Sequence, residues 1–265
     1  MPKAESQAAR CIPEEMLRKA TYATTARARA KYATRGLDQP GVDVDTRAML
    51  LRQLYLSQME GRRFGEAQAT ALEMVDLAVM PDVARQDAAR ACLGTGELDK
   101  ALEHLRIATR VSPASRRAFH LWTLGSTLYL LGRHHEAVGA LSRAARWGTT
   151  DKPLYRGQLA LARRAAGEAH EDLGELRREL AEAPCGQGYG LFVLAELAAA
   201  QQDRGAALSY ASAFVERTTG GRVALEVALQ AELGRAREIM RQLGVEEPPA
   251  ELEEAEAADP DGGSS

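Results

Sequence analysis

The chain repeats itself with a period near 34 residues. A repeat of that length is one supersecondary unit that cannot bury its apolar face alone, so it folds by stacking against its neighbours. The segment from Gly96 to Ala101, followed by Leu105, Ala108 and Pro113, returns as Gly132 to Ala137, followed by Leu141 and Ala144. Weaker copies are Arg63 to Ala67, Gly167 with Leu176 and Pro184, Asp203 to Ala207, and Leu233 to Ala236. Ala67, Ala101, Ala137, Ala207 and Ala236 are separated by 34, 36, 70 and 29 residues, and 70 is two periods.

Within each period an apolar helix, a short turn carrying glycine and a second helix follow in order. No stretch alternates apolar and polar residues long enough to make a strand. Small residues have a steric task here: Ala89, Gly125 and Ala195 on first helices, and Ala101 and Ala137 on second ones, let two helices approach closely. Leu124, Gly125, Gly132, Ala137, Leu141 and Ala144 in the best copy, and Gly96, Ala101, Leu105, Ala108 and Pro113 in the next, resemble the tetratricopeptide repeat (TPR) family. The resemblance covers roughly residues 48–245. It is weakest over 153–184, where Asp172 stands at the usual alanine, and the first copy has a Gly61-to-Ala67 spacing one residue longer than the others. What it implies is an all-α, right-handed superhelical solenoid of five or six helical hairpins, with an inner surface that binds peptides or proteins.

The flanks differ from the repeats in charge. Residues 1–37 carry eight basic and three acidic groups, 38–245 carry 26 of each, and 246–265 carry eight acidic groups, no basic ones and three prolines. Such an end segment cannot offset its ordering entropy by burial, and it is expected to be a disordered acidic tail. From Pro13 to Leu37 no breaker occurs before Gly36, and Met16, Ala20, Ala23, Ala26, Ala30, Ala33 and Leu37 recur at helical spacing. This predicts one N-terminal helix over 13–37 that caps the first repeat, after a flexible stretch over 1–11. The expected domain is a single unit over 12–245.

Composition bears on partners. The chain has 49 Ala and 29 Arg against 5 Lys, 3 Ile and no Asn, which reads as the codon bias of a GC-rich, bacterial genome. Abundant arginine therefore argues little for nucleic acid. The basic groups Arg18, Arg27, Arg29, Lys31 and Arg35 are spread around their helix instead of forming a stripe, which argues against a nucleic-acid contact. No apolar run reaches the ~18 residues of a membrane span, and the first thirty residues lack a signal-peptide core. Three cysteines far apart, Cys11, Cys92 and Cys185, fit a reducing cytoplasm better than a disulfide framework.

The expected binding residues follow from the helix register. If Leu121, Leu124, Gly125 and Leu128 face the core, then Trp122, Ser126 and Tyr129 face the inner surface. The matching positions of neighbouring copies are Gln86 and Arg90, then Gln158 and Arg164, then Tyr189 and Phe192. Exposed aromatics beside arginine have the composition of a binding hot spot, so an open strip of aromatic anchors is expected. Such a strip suits a peptide with bulky apolar side chains and at least one carboxylate. The carboxylate clamp of lysine and asparagine seen in chaperone-binding members has no counterpart here.

Catalysis is not expected. The glycine-rich stretch from Cys185 to Gly190 follows no strand and precedes no lysine, so it reads as an inter-repeat loop and not a phosphate cradle. The five histidines His104, His120, His134, His135 and His170 show no chelating spacing, so no metal and no cofactor is expected. The competing reading is an enzyme or a peptide-sensing regulator that uses the Cys185 loop or the basic N-terminal helix.

Overall fold

The computed structural model describes residues 13–168, 171–221 and 223–244. Among them there is no strand. Expectations for 1–11 and for the acidic tail 246–265 lie outside the described residues.

The N-terminal segment is two helices, not the one expected: α1 over 13–21 and α2 (Ala26–Leu37), joined by a bend at 22–25. The reason is the Thr24-Thr25 pair. Thr25 sits in extended backbone, and its hydroxyl accepts a hydrogen bond from the Ala28 amide, capping a new helix. The buried residues of α2, Ala33 and Gly36, belong to its small-residue stripe. It packs on α3 (Val44–Glu60), tied by Arg29 to Glu60 at 2.5 Å and by the Ser57 hydroxyl donating to the Ala26 carbonyl at 2.8 Å.

From α3 onward the helices come in pairs, each packed against the next in sequence. The pairs are α3 with α4 (Phe64–Asp76), α5 (Pro81–Thr95) with α6 (Leu98–Val111), and α7 (Ala114–Leu130) with α8 (His134–Trp147). Then come α9 (Lys152–Ala165) with α10 (Leu173–Glu182), α11 (Tyr189–Ala200) with α12 (Arg204–Thr219), and α13 (Val223–Ala228) with α14 (Gln230–Gln242).

The repeat is most exact in the turn between partners. Arg62, Gly96, Gly132, Gly167 and Gln202 all adopt left-handed backbone, at successive separations of 34, 36, 35 and 35 residues. A left-handed residue just past a helix end returns the chain sharply and satisfies the last carbonyls. The long Gly61-to-Ala67 spacing is thereby explained: Arg62 takes the left-handed position, while Gly61 stays at φ −80°. Five residues after each such position an alanine packs into the core in four of the pairs: Ala67, Ala101, Ala137 and Ala207 are fully buried. In the fourth pair that slot is Asp172, whose side chain caps α10 by accepting from the Gly174 and Glu175 amides. The second helix starts later there, and Leu176 is buried in its place.

Close approach is visible at Gly125, where an added Cβ would lie 2.5 Å from the Leu141 side chain. Leu121, Leu124 and Leu128 are buried beside it, as the register predicts. The last pair departs from the pattern. After Gly220-Gly221 the six-residue α13 packs against α3, far away in sequence: Val227 joins the cluster of Leu51, Tyr55 and Met59, and Glu226 lies 3.6 Å from Arg62. From there α14 runs along α11 and α12.

Candidate functional site

Because α13 reaches α3 while α14 lies on α11 and α12, the C-terminal segment passes over the face on which the binding residues were expected. What remains between it and α5 and α7 is a cavity of about 690 Å3. Arg90 on α5, Trp122 and Ser126 on α7, and Tyr189 on α11 line it, facing Leu225, Leu229 and Glu232. Leu98, Phe119 and Leu225 also belong to its lining and are each more than a third exposed, so they form an apolar rim.

The inner wall is held by a chain of hydrogen bonds that runs across four pairs. The Trp122 indole N–H donates to Gln158 Oε1 at 2.6 Å, and Gln158 Nε2 donates to Ser126 Oγ at 2.8 Å. Ser126 Oγ lies 2.5 Å from the Tyr189 hydroxyl, which donates to Glu232 Oε1 at 3.2 Å. With the serine donating to the tyrosine, each of these side chains donates once, and the chain has one consistent direction. Burial of this kind demands such pairing, since an unpaired polar group in the interior costs ~1–3 kcal/mol. The Trp122 ring stands edge-on to Tyr189 at 4.8 Å and tilted against Phe119 and Tyr155 at 5.6 and 6.0 Å.

Two further polar clusters brace the wall. Tyr129 donates to Glu196 Oε2 at 2.7 Å, and Arg235 of α14 reaches Glu196 Oε1 at 2.7 Å, which locks α14 to α7 and α11. Near the start of α5, the fully buried Asp82 takes two hydrogen bonds from Arg116 and lies 3.0 Å from His120 Nε2. Burial holds His120 below its ordinary value, against the pull of Asp82, so the imidazole is neutral at pH 7 and Nε2 donates. Its Nδ1 is then a bare lone pair, in keeping with that atom being buried without a partner. Burial opposes ionisation of Asp82 as well, but the Arg116 and His120 hydrogen bonds outweigh it and lower its pKa. Glu232 and the Tyr189 hydroxyl are both pushed up by burial.

The expected site residues are thus divided. Arg90, Trp122, Ser126 and Tyr189 meet in the cavity, and Gln158, fully buried, stands one hydrogen bond behind them. Phe192 is a core residue with no exposure, edge-on to Tyr189 and tilted against Phe214. Gln86 is buried away from the cavity, Tyr129 is engaged with Glu196, and Arg164 is exposed at the end of α9, outside the cavity. The open aromatic strip is therefore not present. Only 9% of Trp122 is exposed, its ring packed against Tyr155 of α9 and Tyr189 of α11.

The Cys185 stretch is an inter-helix turn. Added Cβ atoms at Gly186 and Gly190 would fall 2.1 Å from the Leu180 and Cys185 carbonyl oxygens, so those glycines are required by packing. Burial raises the Cys185 thiol, the reverse of what activates a nucleophile. Among the described residues no group of three His, Cys, Asp or Glu side chains could hold a metal ion, and no helix is long and apolar enough to cross a membrane.

No protein-family model and no curated protein matches the chain.

Sequence reasoning missed the role of Glu232, Arg235 and α13, and it missed Asp82 with Arg116 and His120. One signal was available for the second group. Residues one period apart are neighbours in a stack, and Asp82–Arg116, Arg52–Asp87 and Trp122–Gln158 are pairs 34, 35 and 36 residues apart.

Proposed function

We propose that this chain is a non-catalytic binding protein of the tetratricopeptide class. In this reading the six helix pairs form a right-handed superhelix that holds a peptide segment of a partner protein, within a bacterial assembly. The segment inserts bulky apolar side chains past the rim of Leu98, Phe119 and Leu225 and into the cavity against Trp122. The observation that carries this reading is the convergence of Arg90, Trp122, Ser126 and Tyr189, drawn from three pairs, on one cavity with an apolar, exposed rim. Its size lies within the ~300–1,000 Å3 of ordinary ligand pockets.

A random-peptide display selection on the full chain tests this, with counter-selection against a Phe119→Asp variant of unchanged melting temperature. Enrichment of peptides rich in leucine and aromatics that the variant does not retain is the expected result. Peptides retained equally by the variant, or no enrichment at all, would refute the assignment.

A further inference from the structure

A second hollow opens on the side of α7 away from the cavity. Leu124 and Leu128 lie at its floor, two residues along from Trp122 and Ser126 and so roughly 200° around the helix. Its walls are the second helices of successive pairs, with Arg106 and Arg110 on α6 and Glu136, Gly139 and Arg143 on α8. Three guanidiniums thus share one groove with one carboxylate, and that carboxylate is already committed. Glu136 lies 3.0 Å from Arg106 and also takes Arg133. Arg110 and Arg143 have no carboxylate partner among the described residues, and Arg143 turns back on the Gly139 carbonyl of its own helix at 3.3 Å. Gly139 itself is exposed in mid-helix, and a Cβ added there would meet nothing. Glycine weakens a helix interior relative to alanine, and no close approach within the fold requires it here. It leaves bare backbone beside the arginines, against which another segment can lie.

The sequence supplies the matching polyanion. Residues 246–265 carry eight carboxylates and no base, and they follow α14. Arg235 of that helix meets Glu196, which also accepts from Tyr129, the neighbour in sequence of the floor residue Leu128. From Arg235 to Gly244 is roughly 14 Å at ~1.5 Å per residue, and passing around α7 and α8, each about 10–12 Å across, adds roughly 25 Å. The 21 residues from 245 onward reach up to about 70 Å when extended, so the groove is within their range. The cavity is the poorer host for such a segment. Its rim is apolar and its two arginines share the lining with Glu232, so carboxylates entering it would give up water for less opposite charge.

We propose that the outer groove between α6 and α8 docks the chain's own acidic segment 246–265, with Arg110 and Arg143 taking its carboxylates and Gly139 leaving room for its backbone. Tethering holds such a segment at a local concentration on the order of millimolar, so contacts individually as weak as surface ion pairs suffice to seat it. The docked segment neutralises the groove and keeps other polyanions out of it. What the cavity binds does not enter this reading.

The test places a photo-crosslinker in the acidic segment of the full chain, as Leu252→p-benzoylphenylalanine. Heavy-isotope-labelled and unlabelled protein are mixed and photolysed at low salt, and the crosslinked peptides are mapped by mass spectrometry. Crosslinks should concentrate on α6 and α8 within one copy. They should fall about fivefold or more in Arg110→Glu/Arg143→Glu, the scale of two surface ion pairs lost and made repulsive. They should fall likewise at about 1 M salt, where the Debye length is ~3 Å. A second variant, Glu251→Gln/Glu253→Gln/Glu254→Gln/Glu256→Gln, leaves every described helix untouched and should show the same fall, so the test stands even if the arginine variant melts early. Crosslinks spread evenly over the surface, or gathered on α5 and α13 at the cavity, would overturn the proposal. So would crosslinks on α6 and α8 that are indifferent to salt and to both variants. Crosslinks formed chiefly between copies would overturn the segment's own groove as its seat.

Discussion

Replacing Trp122 by alanine should cost several kcal/mol of stability. The ring is packed by Phe119, Tyr155 and Tyr189, and its indole N–H is the first donor of the chain through Gln158 and Ser126. Truncating a buried Trp to Ala typically costs ~3–5 kcal/mol, and losing the N–H leaves Gln158 Oε1 short of a donor. The low end of the range applies, because one side of the ring already borders the cavity and part of the space left behind joins it. At ~2–4 °C per kcal/mol for a domain of this size, Trp122→Ala should melt roughly 6–12 °C lower. Trp122→Phe keeps the ring contacts and loses only the hydrogen bond, so it should cost ~1–3 kcal/mol. Its partner change Gln158→Leu in the same protein should cost less than the two single changes added together, because the pair shares one bond. Differential scanning calorimetry of Trp122→Ala, Trp122→Phe, Gln158→Leu and the Trp122→Phe/Gln158→Leu double variant reads all of this. A Trp122→Ala protein that melts within a degree of wild type would refute the buried placement of the ring.

Three further outcomes follow from particular groups. Glu232 is buried and its pKa is raised, so the stability it contributes is present at low pH and is lost as pH rises through its folded value; Glu232→Gln, which can still accept from Tyr189, should raise the melting temperature at pH 8 more than at pH 5. His120 and His104 are both depressed by burial, so the unfolded chain binds protons first and stability should fall as pH drops below about 6.5; in the Glu232→Gln background, His120→Gln should reduce that acid loss, and an unchanged profile would contradict a neutral buried His120. Gln202 holds left-handed backbone at an exposed turn where three other pairs use glycine, and Gln202→Gly should stabilise by ~0.5–1 kcal/mol, the left-handed penalty less the extra entropy of glycine; a lower urea midpoint would refute this.

The helix pairs were legible because close packing leaves a periodic trace: Ala101 and Ala137, each five residues past a left-handed glycine, cannot be enlarged without separating two helices. The break at Thr24-Thr25 was missed because the alanine stripe continues unbroken across it, while a hydroxyl cap outweighs that stripe locally. The core-facing residues of α7 were read correctly. The face opposite was read as open because periodicity describes how each pair meets the next, and says nothing of a terminal segment that turns back over several pairs. Nothing in the pattern around α13 announces that Val227 will bury itself beside Tyr55. Phe192 and Gln158 were accordingly placed on a surface that the fold encloses, while Arg90 and Trp122 line a part of it left hollow.

The most direct test is hydrogen–deuterium exchange of the full chain with and without a saturating peptide rich in leucine and aromatics from the display selection, followed by peptide-level mass spectrometry. The account predicts added protection over the second half of α5, over α7 and over α13 and α14, with α8 and α10 unchanged. Protection on α8 or α10 with none on α7 and α13 would contradict it.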